Sequence, residues 1–167
     1  MPGPSEVIGK VAAKMKGLGS SGIYKRLKED HGEVSALMKR VAASSDPDTR
    51  RKFFPKVRES LLAHSKAEDK EFYAPLFDQP ETRGLIEHSR DDHDEIERLL
   101  DALSRMDAAT DAWVEDFKRL MHAVEAHVKV EENEVFPKAA GIFSDNQAKE
   151  MERRFLEEKK RFQHTLS

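Results

Sequence analysis

The pentapeptides His64-Ser-Lys-Ala-Glu68 and His127-Val-Lys-Val-Glu131 constrain this chain more than any other feature of it. In each, an imidazole and a carboxylate stand four residues apart. On an α-helix that spacing is one turn, about 40° of rotation and roughly 6 Å of rise, so both side chains leave the same face. The copies lie 63 positions apart, from 64 to 127, and a second pair, Asp30-His31 and Asp92-His93, repeats at 62. A lone histidine followed by a histidine–glutamate pair, met twice at nearly one interval, is the pattern of a tandem helical hairpin. Such a chain is built to enclose one metal site in a four-helix bundle.

The apolar residues agree with that reading. They predict a first helix over about 22–43 (Ile23, Leu27, Val34, Leu37, Met38, Val41), stopping near Ser44-Ser45-Asp46-Pro47. A second over about 48–73 carries Phe53, Phe54, Val57, Leu61 and Leu62 and ends around Pro75, with Pro55 expected to delay or kink it. A third, about 82–106, carries Ile86, Ile96, Leu100 and Leu103. A fourth, about 110–136, carries Trp113, Phe117, Leu120 and Val124 and closes at Pro137. A fifth amphipathic segment, about 145–163, packs on the outside. Residues 5–16 suit a short basic helix capped by Ser5, joined to the rest by a Gly/Ser-rich stretch. No strand alternation competes, so the fold class is all-α. The expected division is an N-terminal segment and linker (1–21), a four-helix bundle (22–140) and a C-terminal helix (141–167) on the bundle.

Composition narrows the chemistry. The 167 residues include no cysteine, which excludes disulfides, Cys-zinc sites and iron–sulfur clusters. A formal charge of −3 and a pI near 6.2 give no general attraction for nucleic acid or an anionic membrane. No apolar run approaches the ~20 residues of a transmembrane helix. Gly and Lys interrupt any signal core at the N-terminus, so a cytoplasmic location is the expectation.

On the predicted helices, His31 falls four residues after Leu27 and three before Val34. His64 follows Leu61 by three, His93 precedes Ile96 by three, and His127 follows Val124 by three. Glu68 and Glu131 continue the same stripes one turn on. One histidine on an apolar face is ordinarily a hydrogen-bonded core residue, and one His–Glu pair at i, i+4 is ordinarily a surface ion pair. Four inward histidines and two inward glutamates under one repeat are neither. Unpaired buried carboxylates are costly, and a metal dication offsets that cost while using the imidazole lone pairs. Nitrogen and oxygen donors without sulfur suit iron or manganese and can hold zinc. Six ligands exceed one tetrahedral site. Two metals use all six: His31, His64, His93 and His127 as terminal ligands, Glu68 and Glu131 as bridges. A solvent-derived oxo or hydroxo group completes the bridge and leaves an open position for a small diatomic ligand.

The order His, H-x-x-x-E, His, H-x-x-x-E resembles the hemerythrin-like (HHE cation-binding) domains. Asp30-His31, Asp92-His93 and the run Glu131-Glu132-x-x-x-Phe136-Pro137 strengthen the likeness, which covers about residues 24–140. The resemblance implies an up-down-up-down bundle with two non-haem iron ions that binds O2 or responds to oxygen, nitric oxide, peroxide or iron. The oxygen carriers of that family have a fifth histidine one turn before the third-helix ligand, a place held here by Ser89. His88, about 140° from the His93 direction on an ideal helix, reaches the site only through a local distortion. The carriers also end with His and Asp five residues apart, where this chain has His127 and Glu131 at four.

Glu71 and Glu134 follow the motif histidines by seven and face roughly inward, as additional ligands or at the bundle mouth. Tyr24, seven before His31, shares its stripe and either reaches the site or packs in the core. Tyr73 and Phe136 are expected to form an aromatic plug at the bundle end, and His122 and His164 to lie on the surface. The leading function is binding or sensing of O2 or a related small molecule. The alternatives are a di-iron enzyme of peroxide or Fe(II) oxidation, and an iron-dependent interaction module with a protein partner at the N-terminal segment or fifth helix. The inward pairs run His-x-x-x-Glu, not the Glu-x-x-His of ferritin-like oxidases.

Overall fold

The computed structural model describes residues 21–166, which form helices joined by short turns, with no strand among the described residues. The helix expected over 5–16 lies outside them. Helix α1 spans Ile23–Ala43 and α2 spans Pro47–Glu68. A π-helical turn, Asp69–Tyr73, and a short α3, Ala74–Phe77, continue α2. Helix α4 spans Arg83–Ser104 and α5 spans Asp111–Val130. A second π-helical turn, Glu131–Val135, leads into α6, Phe136–Ile142, and α7 spans Asp145–Leu166.

Local chemistry sets these limits. Asp46 caps α2 by accepting from the Asp48 N–H at 3.1 Å, with Pro47 in the first turn, where its missing N–H costs nothing. Thr110 caps α5 by accepting from the Trp113 N–H at 3.2 Å. Pro55 neither ends nor delays α2, which begins eight residues before it.

Pro75 and Pro137 do not stop their helices either. Each lies in the first turn of the helix that follows a π-helical turn. In a regular α-helix a proline ring collides with the carbonyl four residues earlier. One extra residue in the preceding turn moves that carbonyl away, and the chain stays helical to Phe77 and to Ile142. The expected closures at Pro75 and Pro137 therefore fall short of the observed ends.

Helix α1 packs on α2 and α5, α4 packs on α5, and α7 lies along α1 and α2. The core has two apolar parts. One gathers Val34, Met38, Leu61, Leu100, Trp113 and Phe117, with the Trp113 and Phe117 rings stacked 5.1 Å apart. The other gathers Tyr24, Leu27, Phe72, Tyr73, Phe136 and Phe155. On α1, α2 and α4 the motif histidine falls between residues of the two clusters, and on α5 His127 follows Val124 of the first and precedes Val135 of the second, so the four form a polar layer inside an apolar interior.

Helix α7 meets the start of α1 closely. Gly22 has φ +60°, and a Cβ there would stand 2.9 Å from the backbone carbon of Ala148. Gly22→Ala therefore meets both a left-handed backbone and an immovable neighbour. It should lower stability by roughly 1–3 kcal/mol, measured by urea unfolding. A variant as stable as the parent would mean that α7 does not dock this tightly on the N-terminus of α1.

Candidate metal centre

All six residues of the repeated pattern converge. His31, His64, Glu68 and Glu131 offer donor atoms within 4.8 Å of one another, and so do Glu68, His93, His127 and Glu131. The two sets share both glutamates, whose side chains are fully buried. Each histidine presents Nε2: His31 lies 3.2 Å from Glu131 Oε1, and His64 lies 3.5 Å from Glu68 Oε2. His93 lies 3.2 Å from Glu68 Oε1, and His127 lies 3.3 Å from Glu131 Oε2. The Nε2 atoms of His93 and His127 approach to 3.1 Å.

The donor set fits a metal. The Nε2 atoms of His31 and His64, both carboxylate oxygens of Glu68 and Glu131 Oε1 are buried without a hydrogen-bond partner. They are close to one another yet not aimed along hydrogen bonds, an expensive arrangement unless something between them is bound. Donors about 2.1 Å from one ion stand roughly 3.0–3.4 Å apart at octahedral to tetrahedral angles, close to the separations seen here.

The outer ring nitrogens are held by carboxylates. His64 Nδ1 bonds Asp30 at 3.0 Å, His127 Nδ1 bonds Asp92 at 3.1 Å, and His31 Nδ1 bonds Glu132 at 2.9 Å. Such contacts fix ring orientation and direct Nε2 toward an ion. The aspartates of the Asp-His pairs thus serve the histidine of the neighbouring helix, not the one beside them in sequence. The two halves also differ. Asp69, the repeat mate of Glu132, bonds Arg90 Nε at 2.7 Å instead of His93.

The buried charges support one another in the ion-free protein. Burial lowers the pKa of His64, but the Glu68 charge and the Asp30 hydrogen bond outweigh it and push it up to about 10. Burial likewise opposes protonation of His127, and the Glu131 charge and Asp92 bond carry it up to about 10. Glu131 is held well below the usual carboxylate range, because His127 and His31 together overcome its burial. Burial also works against ionisation of Asp30, and His64 and Lys159 reverse it, leaving the carboxyl below its ordinary value.

Tyr73 is the residue the sequence reading misplaced. Its ring belongs to the apolar cluster, but its hydroxyl enters the site, donating to Glu131 Oε2 and lying 3.3 Å from His93 Nε2 and 3.2 Å from His127 Nε2. Burial, then the charges of Glu131 and Glu68, raise its pKa well above 10, so it keeps its proton there. The π-helical turn explains the placement. Five residues after Glu68, Tyr73 would sit about 140° round an α-helix, and the wider turn brings it back under the glutamate.

The same change of phase takes Glu71 and Glu134 off the inward face; Glu71 is half-buried, Glu134 is exposed, and neither joins the donor sets. His88 is exposed and lies 3.6 Å from Asp92, outside the site, so α4 is not distorted to bring in a fifth histidine. Tyr24 is buried against Phe72 and Phe136 as a core residue, with its pKa raised to about 12 by burial and by Asp145. His122 and His164 are exposed. Phe136 stacks on the His31 ring at 6.3 Å, which is its share of the expected plug.

A cavity of about 310 Å³ reaches all four imidazoles. Its walls include Val34, Leu37, Leu61, Ile96 and Val124, and Asp30 and Lys159 also line it. No helix among the described residues is long and apolar enough to cross a membrane.

The chain is 24% identical over 143 residues to a DNA nickase of Nostoc sp., an alignment covering 84% of this chain and 40% of that protein. It therefore spans well under half the length of that relative. No solved structure matches it. The model of the hemerythrin HHE cation-binding domain matches residues 22–139, which include all six converging donors. A helical chain that gathers four histidines and two glutamates in that order, over that span, belongs to the hemerythrin HHE cation-binding family.

Proposed function

We propose that this chain is a non-haem di-iron protein that binds or senses O2 or a related small molecule, such as nitric oxide or peroxide. The observation that carries the reading is the sharing of Glu68 and Glu131 by two four-donor sets. One set alone would suit a single ion; two sets joined by both carboxylates suit a bridged pair. In this reading α1, α2, α4 and α5 run alternately up and down as the bundle of residues 22–140, and 141–167 form the segment packed on it.

A bound iron pair supplies redox change and an open coordination position for a small ligand. The chain supplies the rest. Asp30, Asp92 and Glu132 keep three Nε2 atoms turned inward. The apolar cavity walls admit a small uncharged molecule more readily than a hydrated ion. Tyr73 holds a hydroxyl proton beside Glu131, within reach of anything seated near His93 and His127.

That proton also favours the second reading, an enzyme that turns over peroxide or oxidises Fe(II), since such chemistry needs a proton close to the metals. The surface position of His88 supports sensing or turnover over dedicated oxygen carriage.

Iron loading tests the proposal. The purified protein should retain two irons per chain, and His88→Ala should retain as many. Admitting air to the reduced protein should produce a visible charge-transfer band. Reversal on removing O2 marks binding; rapid irreversible oxidation marks turnover or sensing. A chain that saturates with one tetrahedral zinc and refuses a second metal defeats the di-iron reading.

A further inference from the structure

Helix α7 contributes to the polar layer without supplying any of its six donors. Lys159 Nζ donates to Asp30 Oδ2 at 2.9 Å, and the same oxygen accepts from His64 Nδ1 at 3.0 Å. One turn earlier on the same face, the fully buried Phe155 meets the His64 ring edge-on, with centroids 5.6 Å apart. Lys159 itself lies 5.9 Å from the Phe155 ring centre. His64 is thus held twice from α7: by a ring against its side and by an ammonium acting through Asp30.

Among the described residues the second half of the chain has no counterpart. Asp92, which serves His127, receives no lysine from them; its further neighbour is His88 at 3.6 Å, and its side chain is 28% exposed against 6% for Asp30. Water can solvate Asp92. Asp30 cannot draw on water to that degree, and a buried carboxylate with one partner is costly. Without the ammonium, Asp30 would turn toward solvent, and His64 would lose the acceptor that fixes its ring.

We propose that Lys159 is a positioning residue for the donor set of His31 and His64, so that docking of α7 tunes one of the two metal positions and leaves the other untouched. This inference rests on the two-metal reading above. The partner it identifies for the site is internal: a helix beyond the end of the matched family domain at residue 139.

The test is metal release from the full-length protein loaded with cobalt(II), followed by its visible absorption after a chelator is added. Two release phases are expected from the parent, one for each donor set. Lys159→Met should speed one phase about 10-fold, the lower end of the range for losing a ligand's hydrogen-bonded partner, because it acts one step further out, through Asp30. Asp92→Asn should speed the other phase. Lys159→Arg, which restores a cation at Asp30, should return the first phase to within a few-fold of the parent.

Glu158→Ala separates positioning from mere docking. Glu158 binds Lys70 at 2.7 Å from the same helix but does not touch Asp30, so its loss should leave both phases unchanged. Lys159→Met matching the parent, or speeding both phases equally, overturns the proposal. So does Glu158→Ala reproducing the Lys159→Met effect. A parent that binds only one cobalt removes the two-metal reading itself, whereas a parent with two cobalts and an inert Lys159→Met removes this inference alone.

Discussion

In a two-ion centre of the proposed kind, Glu131→Ala should empty both metal positions in one step. Glu131 faces His31 through Oε1 and His127 through Oε2, so its removal strips a donor from each set and leaves both with three. Glu68→Ala should do the same, because its oxygens face His93 and His64. A terminal histidine is different. His64→Ala removes a donor from one set only and should leave about one metal per chain after gel filtration. Metal analysis of the four proteins, with circular dichroism confirming helical content, measures this directly. If Glu131→Ala keeps one tightly bound ion, the glutamates do not bridge, and the two sets are separate sites that lie close together.

The second large effect is the dependence of stability on metal and pH together. A ligand that binds only the folded state stabilises it by about 2.7 kcal/mol at a hundredfold excess over Kd. For a chain of this size that corresponds to roughly 5–10 °C in Tm. The pH dependence follows from His64 and His127, both raised from 6.5 to about 10 in the ion-free protein. A group raised on folding stabilises fully below its unfolded pKa and loses that contribution as pH climbs toward its folded value. The ion-free protein should therefore lose stability steadily from pH 6.5 toward 10. An ion takes the imidazoles neutral and does not need those protons, so the Tm gap between loaded and stripped protein should widen across the same window. A gap that stays constant from pH 6.5 to 9.5 would show that protons and metal do not compete for these rings.

The sequence made the helices and the six donors legible for one physical reason: a stripe of apolar residues fixes which way a helix faces. His31, His64, His93, His127, Glu68 and Glu131 lie on regular helix or at the junction with a π-helical turn, so counting in steps of three and four located them. Counting failed once the turns widened. Glu71, Glu134 and Tyr73 all come after Glu68 or Glu131, and the extra residue turns the glutamates outward and the tyrosine hydroxyl inward. The available signal was the proline that follows each motif, Pro75 and Pro137. A proline that does not end a helix needs a distortion just before it. Contacts between helices left no periodic trace at all. Asp30 beside His31 gives no hint that it serves His64, and nothing in the spacing of Lys159 connects it to residue 30.

The two donor sets draw on both halves of the chain. His31, His64 and Glu68 come from the first helical pair, yet their set is completed by Glu131 from the second. His93, His127 and Glu131 in turn need Glu68. In a chain with no cysteine, a pair of ions held this way would act as a clasp between the two halves. It would tie residue 31 to residue 131 and close a loop of about a hundred residues. Forming such a closure costs entropy that grows only slowly with loop length, and folding has already met that cost when the ions bind. Neither half can complete a set alone, so full metal capture comes after the halves have met. Metal supply would then govern how long the assembled bundle lasts more than how fast it forms.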